Sequence, residues 1–297
     1  MKITNPGHDV VAKAANGDLA AIDAVLLSIQ PGVYNLAVRM LGNRDDAADA
    51  AQEILMKVVT HLGSFRGDAA FTTWVFQIAR NHLLTASTRS RESPEVSLDA
   101  IAERLQTGLD FAARQGSSHA DAERALTPED KLAARQTALG CTQSFLMALD
   151  REQRLVYLLD SVFNLSSQEA AEVLDISAAA YRQRLARTRA VLDPFVKRTC
   201  GLANSEAACR CERQLPAIKH LRAQVSAGTK PATVIAIHRA ELAEAERQFG
   251  QLLHLSDAAA LLRAHPEYHA PESMIGAIRV VLRSAGYWDG EGGRALQ

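Results

Sequence analysis

The most constraining feature of the sequence is a pair of amphipathic helical patterns within residues 45–84. In the first pattern, apolar residues recur at steps of three and four and share one helix face, while acidic and polar residues fall on the other. Asn43 precedes this pattern and can cap the helix. A loop at residues 64–70 leads to a second helix. The apolar residues of the two helices are Ala47, Ala51, Ile54, Leu55, Val58, Val59 and Leu62, then Phe71, Trp74, Val75, Ile78 and Ala79.

Composition favours an all-helical fold, because alanine is abundant and only 5% of the residues are aromatic. A chain of 297 residues is long enough for two or three small domains. We therefore predict an all-α protein with two small helical domains joined by a long linker, followed by a helical C-terminal extension. The predicted bounds are 9–90 for the first domain, 91–130 for the linker, 131–198 for the second domain and 199–297 for the extension.

Local signals predict where individual helices begin and end. Pro31 predicts a break at residues 30–32, because the residue before a proline avoids the helical conformation. Gly42 is placed to end the following helix. Apolar residues from Leu98 to Leu109 predict one isolated helix within the linker. In the extension we predict helices at 232–253, 256–264 and 271–285.

Charge and hydropathy narrow the class of protein. The net charge is -1, so any DNA-binding surface must concentrate its basic residues locally. No apolar run approaches the roughly 20 residues that a membrane-spanning helix needs, and the N-terminus has no apolar signal-peptide core. We therefore expect a cytoplasmic protein without a membrane span. We find no catalytic motif in a suitable sequence context: neither a glycine-rich phosphate loop, nor a nucleophile elbow, nor paired catalytic carboxylates. We therefore do not expect an enzyme.

Residues 166–192 carry the pattern of a helix-turn-helix. Ser166 followed by Glu169 forms a capping box for a short helix, and Ser177 can cap the helix that comes after the turn. In a helix-turn-helix the second helix enters the major groove of DNA. Here that helix is rich in arginine and has no acidic residue before Asp193; its arginines are Arg182, Arg184, Arg187 and Arg189.

The first domain resembles region 2 of bacterial sigma factors of the extracytoplasmic-function (ECF) group. Three motifs carry the resemblance: DxxQE beginning at Asp49, FRGDxxFxxW beginning at Phe65, and IARN ending at Asn81. The resemblance implies that Asp49, Gln52 and Glu53 bind core RNA polymerase. It also implies that the loop at 64–70, with Arg66, Arg80 and Asn81, lies at the downstream promoter element. The group's dense arginine run after this motif is thinned here, which should weaken contacts to promoter phosphates.

The helix-turn-helix resembles region 4 of the same sigma factors. The resemblance implies that Tyr181, Arg182, Arg184 and Arg187 contact the upstream promoter element. Two positions depart from the group's pattern. Three alanines, 178–180, replace polar side chains where base reading often begins, and Tyr181 stands where a small aliphatic residue is usual. By the same resemblance, the linker would thread through the polymerase.

Cys200, Cys209 and Cys211 follow directly after the reading helix, with spacing C-x8-C-x-C. Zinc prefers four tetrahedral ligands, so His220 or Cys141 would have to complete a zinc site. The alternatives are a redox-active thiol pair and inert cysteines. Neighbouring Arg210 and Arg213 are expected to lower the thiol pKa values.

The leading hypothesis is an alternative sigma factor that directs core RNA polymerase to promoter DNA, with the extension acting as a regulator in cis. A separate anti-sigma factor is a further expected type of partner. Two other classes stay open at this point. One is a stand-alone DNA-binding regulator, which would not need the polymerase-binding residues on the first domain. The other is a metal- or redox-sensing module on a sigma scaffold.

Overall fold

The computed structural model describes residues 3–85, 97–115, 126–225, 258–284 and 286. These residues are almost wholly helical, and the described part of the chain contains no β-strand beyond one isolated bridge between Cys200 and Cys209. The predicted all-α class is confirmed. The helices are α1 (His8–Ala15), α2 (Leu19–Leu41), α3 (Arg44–Thr60), α4 (Phe71–Thr85), α5 (Leu98–Arg114), α6 (Pro128–Met147), α7 (Arg151–Ser161), α8 (Ser167–Leu174), α9 (Ala178–Thr199), α10 (Cys211–Val225), α11 (Ala258–Arg263) and α12 (Ser273–Ser284).

The chain folds into two compact units, and each combines segments that are far apart in sequence. The first unit consists of residues 1–91, 158–183 and 267–297. The second consists of residues 92–157 and 184–266. Helices α7 and α9 therefore contribute residues to both units, and so does the C-terminal extension.

The core of the first unit lies between α2 and α3. The apolar face predicted for α3 is buried, from Ala47 through Val59, and Leu62 in the following 3-10 turn is buried with it. Asn43 caps α3 as predicted, since its side-chain oxygen accepts from the N–H of Asp45 at 2.8 Å. Gly42 ends α2 in the left-handed conformation, as also predicted.

The break predicted at Pro31 is wrong, because α2 runs without interruption from Leu19 to Leu41 with the proline inside it. Proline removes one backbone hydrogen bond, which here deprives the carbonyl of Leu27 of its partner. Leu27 is 55% exposed, so this turn faces solvent, where the cost is smallest. The apolar side of α2 packs into the core and holds the helix together across the proline.

The uninterrupted α2 also corrects the expectation that no segment is long enough to span a bilayer. Its 23 residues have a mean hydropathy of 1.3 and, by length and composition alone, could cross a membrane. However, 67% of the most apolar part of α2 is buried within the structure. A helix in the core of a helical domain has the same apolar composition. The composition of α2 is therefore only weak evidence for a membrane span.

The C-terminal segment of the extension belongs to the first unit through a buried polar contact with α2. Asn35 binds the backbone of Tyr268 on both sides: its Nδ2 donates to the carbonyl at 2.9 Å and its Oδ1 accepts from the N–H at 2.8 Å. The guanidinium of the fully buried Arg39 donates to Asn35 and lies 5.0 Å from the centre of the Tyr268 ring. Burial lowers the pKa of Arg39. The predicted last helix, which forms as α12, adds an ion pair between Arg279 and Asp23.

In the second unit, the helix predicted for the linker forms as α5, but it is not isolated. It packs against α10 of the extension and against α6. Buried Thr142 of α6 contacts buried His265, which follows α11, at 2.5 Å between Oγ1 and Nε2. The helix predicted for 232–253 lies outside the described residues. Of the helix predicted for 256–264, residues 258–263 are described and form α11.

We predict that Asn35→Ala lowers the free energy of unfolding by about 1–3 kcal/mol, because it leaves the buried backbone N–H and carbonyl of Tyr268 without this partner. Urea denaturation of the full chain measures the loss. The exposed Asn16→Ala serves as the matched control and should change stability by less than about 0.5 kcal/mol. Equal stability of the two variants would contradict the buried contact.

Candidate nucleic-acid interface

Three aromatic rings fix the base of the loop at 64–70 in the first unit. Phe65 lies 5.4 Å from both Phe71 and Trp74, and the latter two lie 5.7 Å apart, measured between ring centroids. The rings come from the loop itself and from the first turn of α4, so they tie one to the other. Arg66 at the tip is exposed, and Gly67 supplies a φ of 78°. The loop at 64–70 is therefore held in place by aromatic packing and presents a positive charge to solvent; we call it the seated loop.

The outer face of α3 presents the acidic residues of the DxxQE motif. Asp49 and Glu53 are exposed and Gln52 is half-buried, since all three lie opposite the apolar face of the helix. Glu53 Oε2 lies 3.7 Å from His82 Nδ1, and the Lys57 Nζ lies 3.0 Å from the same nitrogen. The structure therefore brings the three predicted residues together on one accessible surface.

The end of α4 is engaged by the first helix of the helix-turn-helix, within the first unit. The Arg80 Nη1 donates to the carbonyl oxygen of Val173 at 3.0 Å, and the Gln77 Nε2 donates to that of Glu172 at 2.9 Å. Beneath them, Phe76 and Phe163 pack edge to face at 5.4 Å. Arg80 is thus half-buried, whereas Asn81 beside it is exposed. No local signal in the sequence indicates this long-range contact, and buried Phe76 was not among the residues predicted for the apolar face of this helix.

The helix-turn-helix forms by the signals that the sequence predicts. In α8 the Ser166 hydroxyl accepts from the N–H of Glu169 at 3.3 Å, and the Glu169 carboxylate accepts from the N–H of Ser166 at 2.8 Å. Asp175 then takes a left-handed conformation with a φ of 55°, which turns the chain. The Ser177 hydroxyl accepts from the N–H of Ala180 at 3.1 Å and starts α9. The capping box, the turn and the second cap are all confirmed.

The first half of α9 places three of the predicted DNA contacts on its surface. Arg182, Arg184 and Arg187 are exposed. Arg184 makes one ion pair, 3.5 Å from Nη1 to Glu152 Oε2, in which its side chain keeps 46% of its surface exposed. An exposed pair of this kind is weak, so it leaves the guanidinium available to a stronger anion. The Thr188 hydroxyl is buried and donates to the Arg184 carbonyl at 3.0 Å.

Tyr181 requires a correction. Its side chain is completely buried, so its predicted DNA contact is wrong in this conformation. The sequence places it on the apolar side of α9, four residues before buried Leu185, and this spacing could have identified it as a core residue. The helix runs on to Thr199 with Pro194 inside. Val191, in its second half, is 51% exposed.

All four cysteines line one small cavity in the second unit, with a volume of about 40 Å3. Cys141 comes from α6, Cys200 follows α9, Cys209 lies in the turn and Cys211 begins α10. They bear no disulfide. In the described ranges no three His, Cys, Asp or Glu side chains are placed to hold a metal ion, so this geometry gives no support to the metal site predicted at Cys200, Cys209 and Cys211. Cys141, one of the two residues that the sequence offered as a fourth member, lies with the other three cysteines.

The thiols are also less acidic than the sequence suggested. Burial raises the pKa of each of the four cysteines above the ordinary value of 9.0, and mutual proximity adds to the effect for Cys141, Cys209 and Cys211. Arg210 opposes the shift at Cys200 and Cys209, but burial outweighs it. The expectation that neighbouring arginines would produce reactive thiolates is therefore wrong.

We predict that the four thiols of the folded chain react with iodoacetamide more slowly at pH 8 than free cysteine does, because the thiolate is the reactive form. The free energy of unfolding should also fall as the pH rises above about 9, since the unfolded chain then releases protons that the folded chain keeps. Mass spectrometry and denaturation across pH 7–10.5 measure the two effects. Chain unfolded in guanidinium is the control, and equal labelling rates for folded and unfolded chain would refute the prediction.

Comparison with known protein families agrees with this geometry. Residues 26–92 match the family described as Sigma-70 region 2, and residues 139–192 match Sigma-70 region 4. The chain is 31% identical over 191 residues to the RNA polymerase sigma-H factor of Pseudomonas aeruginosa, covering 63% of this chain and 91% of that protein. It is 28% identical over 182 residues to the ECF RNA polymerase sigma factor SigW of Bacillus subtilis, covering 61% and 92%.

A third relative is the ECF RNA polymerase sigma-E factor of Escherichia coli K12, which is 26% identical over 198 residues that cover 64% of this chain and 95% of that protein. The residues after 192 lie outside both family matches. Within the matched part, the acidic face of α3, the seated loop and the helix-turn-helix occur in the order in which the two family regions occur. The chain therefore belongs to the RNA polymerase sigma factors of the ECF type.

Proposed function

We propose that this chain directs core RNA polymerase to specific promoters and initiates transcription there. The observation that carries the proposal is the joint presence of an exposed acidic face on α3 and an exposed row of arginines on a reading helix that Ser177 caps. Both occur in a chain whose net charge is only -1, so the opposite charges are segregated onto different surfaces. Such segregation suits a protein that joins another protein to DNA.

Asp49, Gln52 and Glu53 form the polymerase-binding face in this proposal. The three side chains project from a helix whose other side is locked into the core, so they are held at fixed spacing. Rigid carboxylates at an interface supply charge complementarity and steer association with a basic partner surface. A regulator that binds DNA alone has no use for this face, and this argues against the stand-alone alternative.

Arg66 and Asn81 are the exposed residues that would meet the downstream promoter element. The aromatic cluster beneath the loop keeps Arg66 at its tip, which would hold a displaced base or a phosphate in place. Arg80 belongs to the same proposed surface, but reaching DNA would require it to leave the carbonyl of Val173. The chain would work in the cytoplasm, where core RNA polymerase acts.

Arg182, Arg184 and Arg187 would bind the upstream element. Arginine can donate to two acceptors of a guanine at once, or to phosphate oxygens, and only the base contact gives sequence preference. The side chains of the three alanines at 178–180 cannot form hydrogen bonds with bases. In this proposal, base contacts therefore come from Arg182 and the helical turn after it. Tyr181 is excluded from the set because it is buried.

Reversing both charges in Asp49→Lys with Glu53→Lys should weaken binding to core polymerase at least about tenfold, or ~1.4 kcal/mol, because the interface loses two attractive charges and gains two repulsive ones. Co-elution and a fluorescence titration with core polymerase measure the loss. The charge-matched control is Asp9→Lys with Glu272→Lys, since both positions are exposed in the same unit.

Helicity should be unchanged in both double variants, which separates lost binding from misfolding. Undiminished binding by the Asp49/Glu53 variant would show that the polymerase face has been assigned to the wrong surface.

Arg182→Ala and Arg184→Ala should each reduce promoter binding by about 1–3 kcal/mol where they contact a base, with preference relaxed at one position. Where the contact is to a phosphate, all sequences should weaken alike and the salt dependence should become shallower. Competition binding at several salt concentrations distinguishes the two cases.

Arg283→Ala, on the exposed side of α12, is the control for loss of one positive charge. Wild-type binding by both α9 variants at every salt concentration would contradict the assignment of α9 as the reading helix.

A further inference from the structure

The linker helix α5 is held by the first helix of the extension, and this contact lies wholly within the second unit. Helix α5 occupies residues 98–114 and α10 occupies residues 211–225. The two are separated by roughly a hundred residues of sequence and include no residue of the matched family regions. The contact is therefore an addition to the sigma factor framework.

A glycine and a glutamine form the centre of this contact. Gln214 is 5% exposed, and its Nε2 donates to the carbonyl of Leu105 on α5 at 2.9 Å. Gly108, one turn later, is buried and gives the glutamine room: a Cβ at this position would lie 2.0 Å from Gln214 Oε1. A glycine inside a helix lowers the stability of that helix by about 0.5–1 kcal/mol relative to alanine. At position 108 this loss in α5 is accompanied by room for the Gln214 side chain to approach closely.

Two further contacts follow the glutamine, between one and two turns later along α10. The ring of His220 stacks on Phe111 of α5, with centroids 4.9 Å apart and an angle of 31° between the planes. The ammonium of Lys219 pairs with Asp130 at the start of α6, with 2.6 Å between Nζ and Oδ1, and this hydrogen bond lowers the pKa of Asp130. Helix α10 thus contacts both α5 and the start of α6.

Holding α5 as a packed helix shortens the reach of the linker. Its 17 residues span about 26 Å as a helix, at 1.5 Å per residue. The same residues can span up to roughly 56–61 Å when extended. In the proposed function the two DNA-binding segments contact separate promoter elements, and a helical α5 limits how far the linker between them can extend.

We propose that the α5–α10 contact is a lock, built by the extension, that keeps the linker folded in the free chain and must open before the chain joins core polymerase. The inference rests on the proposed sigma function and adds the means of its regulation in cis. Leu105 and Gln214 also line the four-thiol cavity, and Gln214 Nε2 lies 3.5 Å from the Cys209 sulfur. The lock therefore borders the cavity.

Two substitutions open the lock without touching the proposed polymerase or DNA contacts. Gln214→Ala removes the hydrogen bond to Leu105, and Gly108→Ala places a methyl group where the glutamine lies. Gly140→Ala in α6 is the matched control, because a Cβ there meets nothing within 4 Å. All three are made in the full chain and compared with wild type.

The first measurement is hydrogen exchange of residues 98–114 in the free chain. Both lock variants should exchange about tenfold faster there than wild type, since local opening sets the rate, and Gly140→Ala should not. Unchanged exchange in both lock variants would show that the Gly108–Gln214 contact does not hold α5, and this would overturn the proposal.

The second measurement is the dissociation constant for core polymerase. If the closed form must open first, the apparent constant is raised by the small open fraction, so the lock variants should bind about tenfold tighter. If exchange is accelerated but the lock variants bind polymerase no more tightly than wild type, the contact only stabilises the fold. That result would refute the lock. If wild type itself fails to bind polymerase, the proposed function fails, while the exchange experiment still reports on the contact.

Discussion

The packing of α2 against α3 is the interaction on which the first unit depends. It buries a nearly continuous apolar surface and, by fixing the rotation of α3, leaves Asp49 and Glu53 on the outside. Two polar residues of α2, Asn35 and Arg39, are buried as well. A buried guanidinium or amide destabilises the fold unless its polar atoms form hydrogen bonds. Here the backbone of Tyr268, in the C-terminal segment, forms two of these hydrogen bonds with Asn35. The extension is consequently an integral part of the unit's interior.

The extension makes contacts in both units. Its last helix lies with α3 in the first unit, while α10 and α11 pack with α5 and α6 in the second. The reactive-site interpretation of the cysteines loses its main support, because burial raises the pKa of all four thiols and the described residues contain no group of three side chains placed to hold a metal ion. The contacts of α10 with the linker helix offer a different role for this segment, based on packing.

Features set by neighbours in sequence could be predicted. The Asn43 cap, the capping box at Ser166 and the turn after α8 each depend on residues within four positions of one another, and all appear where the sequence places them. The exposed position of Arg182, Arg184 and Arg187 follows from helical periodicity. The pairing of Asn35 with Tyr268, of Arg80 with Val173 and of Gly108 with Gln214 could not be predicted, because each joins residues about a hundred or more positions apart. Pro31 shows the opposite limit: tertiary packing of α2 overrides a strong local signal.

The central claim is that this chain supplies promoter recognition to core RNA polymerase. The most direct test is transcription in vitro by core polymerase and the full chain on a template library randomised upstream of a fixed reporter segment, with selection of the templates that yield transcripts. We expect transcripts with discrete start sites that depend on the chain, from templates enriched in two separated sequence elements. Transcripts that do not depend on the chain, or selected templates without any shared element, would contradict it.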